Sequence, residues 1–142
     1  MIKLIACYMD GTLLDSQKRL PADFPEVLAA LKEKGVLFAV ASGRQYAALR
    51  RDFEPYIEDV LFICENGALV MQRDERLLID PIDPRDLYRI VTSVKDLQGV
   101  YPVVCRAHVA LIEKTASPEF VRNTCMYYPS VQVVDDLTEY CN

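Results

Sequence analysis

Three short stretches carry the side chains that could do chemistry: Asp10-Gly11-Thr12, Ser42-Gly43-Arg44 and Glu65-Asn66-Gly67. In each, a polar or charged group sits beside a glycine where an apolar run ends. An aspartate can give or take a proton, and an adjacent glycine lets the backbone turn sharply and present its amides to an anion. In the second stretch a hydroxyl, a glycine amide and the fork-shaped guanidinium of Arg44 offer donors to one anion, where a helix is expected to open. Taken singly, Asp10-Gly11 reads equally as a plain turn, Ser42 as an N-cap beside a solvated Arg44, and Asn66-Gly67 as a turn signal. Their shared position, each at the exit of a strand, points instead to one composite site.

The elements that must position them follow from the apolar pattern. Ile2 to Met9 is a near-continuous apolar run, as in a strand covered on both faces of a parallel sheet. Phe24, Val27, Leu28 and Leu31 repeat at helical spacing, and Gly35 stops them at a C-cap position. Val36 to Ala41 predicts a second strand, Arg44 to about Phe53 a helix with Tyr46 and Leu49 inward, and Val60 to Cys64 a third strand. Strands alternating with helical crossovers give an α/β fold with a doubly wound parallel sheet, which binds ligands at the carboxyl ends of its strands.

After Gly67 the texture changes. Ala68 to Met71 and Arg76 to Ile79 predict a hairpin around Asp74-Glu75, and Asp80-Pro81-Ile82-Asp83-Pro84 is a stiff, helix-breaking hinge. A smaller α+β module follows. It has a helix bearing Leu87, Ile90, Val91 and Val94, strands at Tyr101–Cys105 and Val109–Glu113, a helix near Pro118–Tyr127 and a strand at Val131–Val134. The expected division is thus residues 1–81 and 82–142.

Composition narrows the partners. A net charge of −5 argues against nucleic acid and anionic membranes, which need a basic face, while a small phosphorylated metabolite needs only a few local donors. The five cysteines form no C-x-x-C pair, and those inside apolar runs read as small core residues in a reducing, cytoplasmic compartment. No apolar run approaches the roughly 20 residues of a membrane span. His108 reads as a solvated turn residue, Tyr101 and Tyr127-Tyr128 as cover for the second module's core, and Asp135-Asp136 as a strand-end charge pair.

Met9-Asp10-Gly11-Thr12-Leu13-Leu14, Ala41-Ser42-Gly43-Arg44 and Asn66-Gly67-Ala68, in that order and followed by a hinge, resemble the haloacid dehalogenase-like phosphatases, and among them the Cof-type sugar-phosphate phosphatases. The resemblance implies an incomplete Rossmann-like core with part of an α/β cap. It also implies hydrolysis of phosphate monoesters through an aspartyl-phosphate formed at the end of strand one. Asp10 would be the acid/base and would contribute to a magnesium site. Ser42 and the amide of Gly43, with the amides of Gly11 and Thr12, would hold the phosphoryl group. Arg44 would contact substrate or brace its loop, and Asn66 and Gly67 would belong to a substrate loop.

The family pattern breaks at Tyr8, which stands where the nucleophilic aspartate belongs. A phenol with a reference pKa of about 10 is ionised to only about one part in a thousand at neutral pH, and its ring fills space a phosphate needs. The lost carboxylate also removes an oxygen ligand for magnesium. The family's catalytic lysine and acidic metal-binding pair lie beyond the cap, and this sequence stops at Asn142. The expectation is an N-terminal portion without turnover of its own. Alternatively it is a non-catalytic binder of a phosphorylated ligand or a partner chain, its exposed first strand pairing with another copy or with a complementing second half.

Overall fold

Leu4–Tyr8 (β1), Leu37–Ala41 (β2) and Val60–Cys64 (β3) are the parallel strands of a five-stranded sheet in the computed structural model, which describes residues 1–142. Leu69–Gln72 (β4) and Glu75–Ile79 (β5) continue the sheet antiparallel, giving the order β1-β2-β3-β4-β5. The α/β sheet is therefore mixed. Arg73 and Asp74, both at positive φ, form the hairpin turn, one residue earlier than the sequence suggested. The chain divides into two units, Met1–Asp80 and Pro81–Asn142.

In the first unit, Phe24–Glu33 (α1) links β1 to β2, and Tyr46–Asp52 (α2) links β2 to β3. α1 stops because Gly35 takes φ +66, a left-handed conformation that glycine adopts without a Cβ clash, and Val36 N–H bonds back to Leu31 C=O. An aromatic layer joins helices to sheet. The ring of Phe24 lies 5.5 Å from Phe38 and 6.0 Å from Phe53, while Phe62 meets Phe53 at 6.0 Å and Tyr46 at 5.5 Å. Each such ring, fully buried, contributes roughly 1.5–3 kcal/mol. Val27, at an expected inner position of α1, faces solvent. β1 is the sheet's edge, paired only with β2, and Leu4, Ile5 and Tyr8 are exposed on it.

The second unit holds Pro84–Val94 (α3), Val104–Cys105 (β6), Ala110–Glu113 (β7), Pro118–Tyr127 (α4) and Val131–Val134 (β8). Its sheet runs β6-β7-β8, antiparallel then parallel. Asp83 and Ser117 cap the two helices by accepting from the N–H of Arg85 and Phe120, with a proline opening each helix. Val91, Val104, Leu111, Val134, Leu137 and Cys141 form the core.

Several expectations for this unit are corrected. The strand expected over Tyr101–Cys105 shrinks to its last two residues, because Tyr101 instead turns to pack on Phe120 at 5.0 Å. Ile90 is half exposed, since α3 buries only a narrow stripe along Leu87 and Val91. Tyr127 lies at the exposed end of α4, whereas His108 is exposed as the sequence reading expected. Of the five cysteines only Cys64 and Cys141 are buried, while Cys105 and Cys125 lie on the surface.

Candidate active site

The turns leaving β1, β2 and β3 meet at one rim of the first unit's sheet. The latter two are tied by backbone: Ser42 N–H donates to Ile63 C=O at 2.9 Å, Asn66 N–H to Ser42 C=O at 3.2 Å and Glu65 N–H to Arg44 C=O at 3.2 Å. Glu65, Asn66 and Gly67 all take positive φ (51°, 56° and 102°), which curls the chain back over the Ser42 turn. Such a run is sterically unfavourable for non-glycine residues and persists only where the surroundings enforce it. Gly43 leaves room for the Asn66 side chain. A Cβ there would come within 2.9 Å of Asn66 Oδ1, so the Asn66 side chain lies directly against the glycine.

Ser42 is buried, and its Oγ accepts from Arg44 N–H at 3.2 Å. This differs from the expected helix opening. α2 begins at Tyr46, so Ser42 orders the turn two residues on rather than capping a helix. The backbone bond that Arg44 C=O accepts from Glu65 N–H holds it out of the helix.

After β1 the chain makes one wide turn over Met9–Leu13, closed by Leu14 N–H to Met9 C=O at 2.9 Å. Met9 is its buried anchor, and Gly11 sits at φ +75 and ψ 1, where glycine carries no Cβ penalty. Thr12 is exposed on this turn. Asp10 points to the neighbouring loops. Its Oδ1 accepts from Arg44 Nη2 at 2.8 Å and from Lys18 Nζ at 2.7 Å. The Lys18 hydrogen bond, opposed by burial and joined by the Arg44 charge, holds the Asp10 carboxyl below its ordinary range. Arg44 also reaches Asp52 through Nη1 at 3.3 Å.

Tyr8 ends β1 in register with Ala41, so it stands on the same rim, with 70% of its surface exposed. Glu65, raised by burial, and Cys64, pushed up to about 12 by burial with Glu65 adding to it, lie just inside. A thiol held that high stays protonated and is inert as a nucleophile.

The structure thus brings Asp10, Ser42, Gly43, Arg44 and Asn66 together, with Gly11, Thr12 and Gly67 on the same turns. Sequence reasoning missed Lys18 and Asp52. Asp15-Ser16-Gln17, a turn-forming stretch just before Lys18, is the signal that could have located the lysine.

A family model of haloacid dehalogenase-like hydrolases matches residues 5–140. The chain belongs to that family. It is 29% identical over 136 residues to the Escherichia coli 5-amino-6-(5-phospho-D-ribitylamino)uracil phosphatase YbjI, which covers 95% of this chain and 50% of the relative. It is 29% identical over 103 residues to the Bacillus subtilis phosphatase YwpJ, covering 72% and 36%. The crystal structure of SMU.1108c from Streptococcus mutans superposes with a TM-score of 0.87 at 25% identity, over 97% of this chain and 53% of that one. The chain therefore spans about half the length of the relatives it matches, in keeping with an N-terminal portion of this fold.

Members of this family generally use magnesium, and the donors in this chain do not fit it. Asp10 is one carboxylate already shared by two cations, Tyr8 offers a phenol, and no group of three or more His, Cys, Asp or Glu is placed to hold a metal.

Proposed function

We propose that residues 1–142 form the phosphate-holding half of a hydrolase site for small phosphate monoesters of the sugar-phosphate class, and that the chain as written binds such esters without turning them over. One observation carries this reading. Asp10 from the turn after β1 and Ser42 and Arg44 from the turn after β2 converge on one rim, with an arginine fork and glycine turns around them. The phosphatase names of the E. coli and B. subtilis relatives support phosphate esters as the substrates, and the phospho-ribityl group in the E. coli name supports the sugar-phosphate class.

In this reading the Ser42 hydroxyl, the guanidinium of Arg44 and the amides of Gly11, Thr12 and Gly43 bind phosphoryl oxygens, supplying the preorganised donors on which phosphoryl transfer depends. Asn66 packs on Gly43 and fixes that turn, and Gly67 continues the loop toward substrate. Asp10, held ionised by Lys18 and Arg44, is a weak base, and it can protonate a leaving oxygen only after a cation has moved away and its carboxyl has taken up a proton. Tyr8 cannot form an acyl-phosphate, because it carries no carboxylate. Asp10 would help to hold magnesium only where further carboxylates joined it.

A second reading is favoured by Tyr8 and by the open edge of β1: a non-catalytic chain that binds a phosphorylated ligand and pairs along β1 with a second copy or a complementing C-terminal half. The negative charge and the cysteine pattern fit a reducing, cytoplasmic setting without nucleic acid or membrane partners, and no helix is long and apolar enough to cross a membrane.

The test is an aryl phosphate assay with magnesium. The purified chain is expected to release no phosphate above an Asp10→Ala control. Tyr8→Asp assembled with the C-terminal half of a relative is expected to show turnover that depends on Asp10. Asp10-dependent release by the unaltered chain would overturn the no-turnover claim. A folded, assembled Tyr8→Asp protein without turnover would overturn the phosphatase reading.

A further inference from the structure

Lys18 lies outside every motif that marked the site, yet its ammonium is 2.7 Å from the Asp10 oxygen that Arg44 also reaches. Its backbone sits at φ +62, a conformation that non-glycine residues adopt rarely and only when a local network imposes it. That network is built on Asp15. Asp15 Oδ1 accepts from the N–H of Gln17 at 2.8 Å and of Arg19 at 2.9 Å, and Oδ2 accepts from Arg19 Nε at 3.0 Å. Lys18 N–H donates to Asp15 C=O and Asp15 N–H to Arg19 C=O, each at 3.0 Å, closing a small ring of chain. The ring holds Lys18 at the apex, with its side chain carried eight residues back to Asp10.

The charges at the rim make the lysine matter. Arg44 is divided between Asp10 and Asp52, and Asp52 also pairs with Arg51 at 3.1 Å. Lys18, Arg44 and Arg51 face Asp10 and Asp52, a single positive surplus, and removing Lys18 abolishes it. An incoming phosphate dianion is attracted more strongly while that surplus exists.

We infer that Lys18 is a phosphate-binding residue of this site and that Asp15 is its positioning residue. The ammonium, paired with Asp10, turns to the phosphoryl oxygens when a phosphate monoester enters. The inference rests on the site proposed above and adds a donor from the turn that follows β1.

The experiment measures inorganic phosphate binding to the 142-residue protein by calorimetry, with circular dichroism confirming the fold of each variant. Lys18→Gln is expected to weaken binding about tenfold and Lys18→Arg by no more than about twofold, the difference isolating the charge. Asp15→Ala is expected to weaken it severalfold, with no further loss when added to Lys18→Gln. Asp15→Asn, which keeps the Oδ1 acceptor for both amides, is expected to bind nearly as the unaltered protein does. Undiminished binding by Lys18→Gln alongside loss in Arg44→Gln overturns this inference and leaves the proposed site standing. No phosphate binding by the unaltered protein overturns both.

Discussion

Asp10 in the first unit and Asp136 in the second each meet a lysine at 2.7 Å, Lys18 and Lys95 respectively. The likeness stops there. Asp136 also accepts from the N–H of Thr138 at 2.9 Å and from its hydroxyl at 2.7 Å, so it caps the short turn over Leu137–Tyr140. Lys95 first, then Thr138, hold the Asp136 carboxyl down to about 2. Asp10 instead takes two cations from two loops on one oxygen. A carboxylate that caps its own turn as well as meeting a lysine is a staple, while one held only by side chains from separate loops is a junction that a ligand can rearrange.

The comparison can be broken most severely through the scaffold. Phe62→Ala, which removes a fully buried ring touching Phe53 and Tyr46, is expected to destabilise the first unit by about 3–5 kcal/mol in urea unfolding. If Asp10 is a junction, Arg44→Gln should weaken phosphate binding by about tenfold or more, whereas Lys95→Gln should leave it unchanged; equal effects in calorimetry would erase the distinction. Gly43→Ala forces a Cβ against Asn66 Oδ1, and is expected to cost about 1 kcal/mol of stability and weaken phosphate severalfold. Ser117→Ala, removing the cap of α4, is expected to cost about 1 kcal/mol while phosphate binding stays constant.

The smallest effect is in acid. Because Asp136 is held down to about 2, its contribution to stability is fully present above about pH 4 and is lost as pH falls through about 2. Asp136→Asn should therefore flatten the stability curve between those values, measured by thermal melts, without moving phosphate affinity.

The first unit was the more legible half. β2 and β3 were readable because their apolar runs are short, bounded by polar turns and buried by the helices that follow. The exits of all three strands were readable because Gly11, Gly43 and Gly67 each sit at one. Lys18 was not readable, because its place depends on a left-handed turn that Asp15 imposes through side-chain bonds. The start of α2 was misjudged because ties between the Arg44 and Glu65 turns delay the helix to Tyr46. In the second unit a small core serves many apolar residues, so periodicity overstated burial at Ile90, and reading Tyr127 as core cover overstated burial there.

The central claim is that the turns after β1, β2 and β3 form one phosphate site. A titration with inorganic phosphate followed by amide resonances tests it most directly. The account predicts that Gly11, Thr12, Gly43, Arg44, Asn66 and Gly67 shift together with one dissociation constant, while the amides around Asp136 stay still. Shifts confined to a single turn, or fitted by different constants on different turns, would contradict it.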